Sequence, residues 1–573
     1  MILHPGVICS SRKSKTARPV WFCWSVSGDG EFCPESPTHM INGMNRRYFF
    51  FGALLSGAVP SAGYGSVPSL RALGYKPFYD KLNVAAIGCG AQGAVDVNDA
   101  ARTENITALC DVDEARSAPT FQRYSKAAKH KDYRVMLEKE AKNIDACIIA
   151  TPDFTHATIA LACMQQGKHV YVEKPLTRTP WEARLLRDAA AKYRVATQMG
   201  NQGFSHESHR VAAEIVWSGE IGEVREAHVA TTPSTYPTEL TQAPPEKAVP
   251  NTLDWNLWLA NAPTRPYSDW YTPYNWRGFY DFGTGQIGNW ATHTAGPVHT
   301  ALQLGAPESV ECLSQVGNSK WTFPSRGVVR LNFPARGPMP PVSVYYYEAI
   351  RPTDAEAFRV PGMEAETILP PTDNLADKGR PTPPGRGAFG GGFGGPGGGG
   401  PGGGGPGGMG RGGAAGGGAP RGAGGPGVAV FKGSQIVTSA AEMGPRGGSQ
   451  PGVFSGNGSV MIGSKGILAT SSRGEGVWLL PSARWKEYKL PPQLLTRSPG
   501  HMQDWMRACK GGDPSCSDFS ITAPYAEWLA LVCIAWRVPG KLLWDSRNLR
   551  FTNSAAATQL VKPMFRRGAE IKL

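Results

Sequence analysis

Val84-Ala85-Ala86-Ile87-Gly88-Cys89-Gly90-Ala91-Gln92-Gly93 is an apolar strand that runs into a Gly-x-Gly-x-x-Gly turn at the start of a helix. Glycine at 88, 90 and 93 permits a tight turn, lets backbone approach a diphosphate, and lets helix and strand pack closely. One such triplet is weak evidence by itself, so its neighbours decide. Toward the C-terminus, Ile106 to Cys110 reads as a second strand, closed by Asp111, 18 residues past Gly93. An acid at that spacing suits a ribose 2′-hydroxyl and disfavours a 2′-phosphate, which predicts NAD in preference to NADP. Val170 to Pro175, VYVEKP, ends another strand with Lys174 pinned between Glu173 and Pro175. Open α/β sheets present their ligand crevice at such strand ends.

The same alternation extends on both sides. Leu82–Ile87, Ile106–Asp111, Asp145–Ala150, His169–Val172 and Val195–Met199 read as strands, with helical patterns at Thr155–Gln166 and Pro180–Tyr193. Pro180 after Thr179 is a sound helix start. This pattern predicts an α/β fold, a Rossmann doubly wound parallel sheet over residues 82–202. Beyond it the signal changes. His206–Ser218 reads as a helix, and Val224–Thr231, Gly327–Phe333, Val342–Tyr347 and Ser459–Thr470 read as strands. They predict an α+β domain with a large, mostly antiparallel open sheet over 203–369 and 453–573. Val342–Tyr347 (VSVYYY) is apolar or aromatic at nearly every position, so both of its faces are expected to be covered, a partner subunit being one candidate cover. Residues 370–452 form a Gly/Pro-rich insert with almost no apolar side chains to bury, expected to be a disordered surface loop.

Taken together, the glycine loop, Asp111 and VYVEKP resemble the Gfo/Idh/MocA (glucose–fructose oxidoreductase / inositol dehydrogenase) family. The resemblance covers most of residues 82–573 outside the insert. It implies that Lys174 lies beside the nicotinamide and the substrate carbon. It also implies cofactor-side roles for Thr151, Pro152 and His156, for Glu173 beside Lys174, for Gln202 near the nicotinamide ribose, and for Trp276-Arg277 in YNWRGF. The family's second catalytic segment reads G-D-x-x-x-H with a further acid three residues later. Here it reads Gly288-Asn289-Trp290-Ala291-Thr292-His293, with Gly296 in the last acid's place. The histidine is kept and both acids are gone; Asn289 can orient a hydroxyl but cannot act as a base. The later domain is implied to hold substrate and to make homo-oligomer contacts. Met502–Cys509, Pro524–Arg537, Leu543-Trp544-Asp545 and Asn548–Asn553 resemble the family's C-terminal helices and return strand.

Hydride loss from an alcohol leaves a proton that a base must take. A partly desolvated lysine near a cationic ring loses part of its preference for the charged form, so Lys174 is expected to carry that proton, with His293 as its partner. Trp255, Trp258, Trp270 and Tyr271 either line a sugar subsite or pack their own loop. The reading is an oxidoreductase acting on a sugar, glycoside or cyclitol hydroxyl. Its alternatives are an NAD-dependent glycosidase working by oxidation, elimination and reduction, and a non-catalytic glycan-binding descendant.

Asn45-Arg46-Arg47-Tyr48-Phe49 is a twin-arginine pattern followed by an apolar run, Phe49–Ala62, too short to span a bilayer and ending in small residues. Residues 44–65 are therefore expected to be a signal read by the twin-arginine export machinery, placing the protein in the periplasm or otherwise outside the cytoplasm. Residues 1–43 are then a non-native extension before a start at Met44; peptides from residues 1–40 in the natural protein would contradict this. Free NAD is not expected in that compartment, so the cofactor should be tightly held and regenerated in place. The net charge of +13 and pI near 9.2 support solubility and attraction to acidic polysaccharide. The insert's arginines sit in glycine contexts, but for an exported protein they are read as linker rather than nucleic-acid binders. No zinc spacing occurs among the cysteines and no metal site is expected. Cys89, Cys110 and Cys147 read as small core residues, while Cys509 and Cys516 flank a turn and would pair if exposed after export.

Overall fold

The computed structural model describes residues 67–74, 80–317, 319–351, 353–368, 375–377, 451–454 and 456–573. The twin-arginine segment, residues 1–43 and nearly all of the Gly/Pro-rich insert lie outside the described residues. Strands β1 (Asn83–Ile87), β2 (Asn105–Cys110), β3 (Ala128–His130), β4 (Ala146–Ile149), β5 (His169–Glu173) and β6 (Thr197–Gly200) form a parallel sheet in the order β3-β2-β1-β4-β5-β6. Every residue of β4 and β5 is buried, because helices cover both faces. Local chemistry sets the helix starts. Asp113 accepts the N–H groups of Ala115 and Arg116 at the head of helix Glu114–Arg123. Thr179 and Glu182 form a reciprocal capping box, with Pro180 in the first turn of helix Pro180–Tyr193.

The second sheet adds β7 (Val224–Ala230), β8 (Ser309–Val316), β9 (Arg326–Phe333) and β10 (Val342–Glu348). A two-residue pair, β11 (Phe358–Arg359) and β12 (Val453–Phe454), lies apart from it. The large sheet is completed by β13 (Gly458–Gly463), β14 (Ile467–Ser471), β15 (Val477–Leu480), β16 (Lys541–Asp545) and β17 (Arg550–Phe551). Its order is β15-β14-β13-β7-β10-β9-β8-β16-β17, with β7 and β10 parallel and the other pairs antiparallel.

Several expectations change. The single strand expected at Ser459–Thr470 is the hairpin β13–β14, closed by a hydrogen bond from Gly463 N–H to Gly466 O at 2.9 Å. β3, β8 and β15 carry too little alternation to be read from sequence. The helix expected from Pro524 starts at Phe519, capped by Asp518, whose carboxylate accepts Ser520 N–H at 2.7 Å. Helix His501–Cys509 does not stay with the second domain. Its Met502, Trp505, Met506 and Cys509 join Val84, Ala86 and Tyr171 in the apolar cluster on one face of the first sheet. Part of the cover over β10 comes from the chain itself: His228 stacks on Tyr345 at 5.2 Å, and Phe358 lies 6.2 Å from Tyr347. The expected Cys509–Cys516 pair is absent. Both thiols are free and buried, Cys509 in that cluster and Cys516 3.2 Å from Ser205 Oγ. Among the described residues no helix is long and apolar enough to cross a membrane, and no three His, Cys, Asp or Glu side chains cluster as metal ligands.

Candidate functional site

The turn after β1 leaves no room for side chains. Gly88 has φ +84°, and a Cβ there would sit 2.6 Å from Ala150 O. A Cβ at Gly93 would collide with the Gly88 carbonyl. Gly90 is bounded by Arg116 at 3.3 Å. Asp111 ties the end of β2 to this loop: one carboxylate oxygen accepts Cys89 N–H at 2.7 Å, the other Asp113 N–H at 2.9 Å. Burial pushes its pKa up while these two N–H groups hold it down. Lone pairs remain on both oxygens for a ribose hydroxyl. A cradle that Cβ atoms would fill, beside an acceptor of this kind, fits a dinucleotide.

The expected residues after β4 and β5 serve the scaffold more than a ligand. His156 is buried, with Nδ1 2.8 Å from Pro175 O and Nε2 2.7 Å from Thr151 O. It thereby links the Thr151-Pro152 turn to the Lys174-Pro175 turn. Burial lowers its pKa, opposed by the Asp153 carboxylate. Glu173 is likewise buried. It accepts Lys174 N–H at 3.1 Å and Gln202 Nε2 at 3.1 Å, which fixes Gln202 next to Lys174. Trp276 is 4 % exposed and belongs to an aromatic cluster with Trp258, Tyr271 and Phe282. Trp255 stacks on Trp258 at 4.7 Å, and Trp270 packs on the same cluster. These rings pack the loop against Phe154 and Val112, just past the ends of β4 and β2, the packing alternative of the two left open by the sequence. Arg277 remains at the site, its guanidinium over Trp276 at 4.2 Å and Tyr274 at 4.4 Å.

At the centre, Lys174 Nζ donates to Asn289 Oδ1 at 2.8 Å and to Asn289 O at 2.9 Å. Asn289 lies on a π-helical turn, Ile287–Ala291, a local widening often found where a side chain must be re-aimed. Its amide is held in one orientation, because Nδ2 faces Gln286 Oε1 at 3.2 Å and Tyr274 OH at 3.4 Å. Gln286 is held in turn by Tyr236 OH and by Thr232 O. Desolvation first, then the positive charges of Arg277 and Arg473, pull the Lys174 pKa down to about 8, against the opposing pull of Glu173. His293 is buried with Nδ1 lacking a hydrogen-bond partner, and burial followed by the Lys174 charge holds its pKa well below the ordinary value. No hydrogen bond joins Lys174 to His293 among the described residues; the direct partner is Asn289. Tyr274, Gln286 and Arg473 were not read from the sequence. Tyr274 and Gln286 lie within or beside the motifs already singled out, whereas nothing near Arg473 marks it.

Residues 82–201 match the oxidoreductase family Gfo/Idh/MocA model for its NAD-binding Rossmann fold, and residues 236–316 match the model for that family's C-terminal alpha/beta domain. Over these two stretches the chain matches the models of both domains of the Gfo/Idh/MocA oxidoreductase family. Its first domain is thus an NAD-binding Rossmann domain. Inositol 2-dehydrogenase 2 of Saccharopolyspora erythraea is 32 % identical over 165 residues, covering 28 % of this chain and 48 % of that protein. A glycosyl hydrolase family 109 protein of Shewanella pealeana is 31 % identical over 172 residues, covering 26 % of this chain and 37 % of that protein. The chain thus spans less than half the length of each of these curated relatives. Among solved structures, an inositol dehydrogenase homolog from Azotobacter vinelandii, complexed with NADH and myo-inositol, aligns with a TM-score of 0.44. It is 16 % identical, over 82 % of this chain and 100 % of that one.

Proposed function

We propose that this Gfo/Idh/MocA protein is an exported oxidoreductase that holds NAD tightly and oxidises a sugar, glycoside or cyclitol hydroxyl. The observation that carries this is Lys174 just past β5, held by Asn289 and with its pKa lowered to about 8, so that a fraction of it is uncharged amine near neutral pH. The glycine loop and Asp111 would hold the dinucleotide, with Gln202 and Arg277 toward its nicotinamide end. The cofactor supplies hydride acceptance and return.

The chain's own residues manage the proton. As the substrate C–H bond gives up its hydride, the hydroxyl proton passes to the neutral Lys174 amine, and the O–H electron pair forms the carbonyl. Asn289 Oδ1 and O accept from the resulting ammonium and keep it in place. Neutral His293 presents an unbonded Nδ1 to a neighbouring substrate hydroxyl. In reduction Lys174 returns the proton.

A second reading, a glycosidase in which the transient ketone acidifies an adjacent C–H and an aglycone leaves, is favoured by the Tyr274 phenol 3.4 Å from Asn289 Nδ2. It also agrees with the name of the Shewanella relative. The test is expression from Met44, exhaustive dialysis, denaturation and mass spectrometry of released nucleotide, followed by a panel of polyols and aryl glycosides. Stoichiometric NAD(H) that changes redox state with a polyol supports the oxidoreductase. Aglycone release with no net redox change supports the glycosidase. An empty protein that also fails to take up NAD leaves only glycan binding. In a holoprotein, Lys174→Met should abolish turnover and leave nucleotide bound.

A further inference from the structure

Lys174 Nζ has three positions besides its bond to carbon. Two face Asn289, its Oδ1 at 2.8 Å and its main-chain O at 2.9 Å, and the third is where a proton is gained or lost. An ammonium enforces this arrangement by itself, because it only donates. A neutral amine does not. Its lone pair accepts, so the Asn289 amide is free to turn over and offer Nδ2–H, and the lone pair is then spent on the amide. Holding Oδ1 toward the uncharged amine takes a further group.

The backbone around Asn289 is already fixed, since a Cβ on Gly288 would lie 2.8 Å from Pro175, the residue after Lys174. Only the sense of the amide is open. Tyr274 OH, 3.4 Å from Asn289 Nδ2, does not decide it, because a phenol either donates or accepts. Gln286 decides it. It is 1 % exposed, and its Nε2 donates to Thr232 O at 2.6 Å, a carbonyl that only accepts. That turns Oε1 toward Asn289 Nδ2 at 3.2 Å and toward Tyr236 OH, which donates to it at 2.9 Å. Thr232, just past β7, is anchored in turn, its N–H donating to Asn457 Oδ1 at 2.9 Å. The Gln286 backbone N–H faces the buried Glu348 carboxyl on β10. One carbonyl at the end of a second-sheet strand thus sets the sense of two amides in series, ending at Lys174.

We propose that Gln286 is a positioning residue for the proton transfer: it holds Asn289 Oδ1 toward Lys174 in both protonation states, so that the lone pair of the neutral amine stays available to a substrate hydroxyl. This role rests on the proton-carrying Lys174 of the reading above and adds the residue that keeps its amine a usable base.

The test is the pH dependence of Lys174 acylation by a limiting anhydride, read by mass spectrometry on the full protein without substrate, with nucleotide content measured on the same samples. In Gln286→Met the freed amide pairs Nδ2–H with the neutral amine and withdraws an acceptor from the ammonium. The reactivity limb, near pH 8 in the parent, should fall by roughly one unit, and its plateau should drop. Gln286→Glu keeps an acceptor facing Asn289 and should leave the limb at or above the parent's. In Asn289→Asp either oxygen accepts, so adding Gln286→Met there should move the limb by less than about a third of a unit. The titratable and charged groups that face Lys174 are untouched throughout: Glu173 beside it, Asp153 after β4, Arg277 and His293 on either side of Gln286, and Arg473 from the β14–β15 turn. An unmoved limb in Gln286→Met overturns the assignment. So does an equal fall in Gln286→Glu, or a fall of the same size in the Asn289→Asp background. If Gln286→Met does not fold, Gln286→Asn replaces it; an amide one methylene shorter cannot span Thr232 O and Asn289 Nδ2, and the same fall is required. No turnover enters these outcomes, so failure of the oxidoreductase reading leaves them unchanged and is registered separately, by absence of nucleotide.

Discussion

Asn289→Asp is the substitution that most directly interrogates the site. Asn289 Oδ1 lies 2.8 Å from Lys174 Nζ, and exchanging the amide for a carboxylate puts a full negative charge at that contact. At an effective dielectric near 20, two unit charges at this separation attract by roughly 6 kcal/mol, a ceiling of about four pKa units. Desolvation of the new carboxylate and the half-exposed position reduce this to roughly one to three units. The Lys174 pKa, held at about 8 in the parent, should therefore rise to roughly 9–11. At pH 7.5 a pKa of 9 lowers the neutral-amine fraction roughly eight-fold relative to a pKa of 8. The assay needs no substrate: acylate the protein with a limiting anhydride at a series of pH values and quantify the Lys174 peptide by mass spectrometry. The parent should show a reactivity limb near pH 8 and the variant a limb at least one unit higher. An unmoved limb would refute the direct contact between residue 289 and the Lys174 amine on which the site is built.

Three further outcomes follow from the same geometry. Gly93→Ala, whose Cβ would collide with the Gly88 carbonyl, should lose bound nucleotide on dialysis; full nucleotide content would mean the loop does not hold the dinucleotide. Lys174→Met should raise thermal stability. The folded pKa of Lys174 lies below its unfolded value, so the ammonium opposes folding below about pH 8 and its penalty fades toward pH 10.5, by about 1–3 kcal/mol after allowance for partial exposure. A lower Tm at pH 7 for this variant would contradict that sign. Glu348 is buried under Tyr346, and burial raises its pKa from 4.5 to about 7. The native state then binds the extra proton between those values, so stability should fall with rising pH across that window, by at most ~3 kcal/mol. Glu348→Gln should flatten this slope in denaturant titrations at pH 5 and 7, and an unchanged slope would assign it to other groups.

The first sheet was legible because its strands, covered on both faces, read as short apolar runs between helical patterns. Its decisive chemistry is local as well: the glycine loop, Asp111 and Glu173-Lys174-Pro175 each act within one turn of their own strand. The strands that escaped notice are short, as with β3, or take their burial from neighbours across the sheet, as with β8 and β15. Two sets of residues singled out in the sequence are packed into the fold. Both ring nitrogens of His156 face backbone carbonyls, and the tryptophans of the 255–276 loop pack on one another and on neighbouring rings, contacts that no spacing along the chain announces. The Lys174–Asn289 contact joins residues 115 apart in sequence, and Arg473 comes later still, from a turn of the second sheet. Sequence determined the glycine loop of the NAD-binding domain and the lysine that follows β5, because those depend on backbone geometry and neighbouring residues. Tertiary structure alone decided what stands opposite that lysine, because charge and hydrogen-bond geometry in a cleft depend on distances that no spacing along the chain encodes.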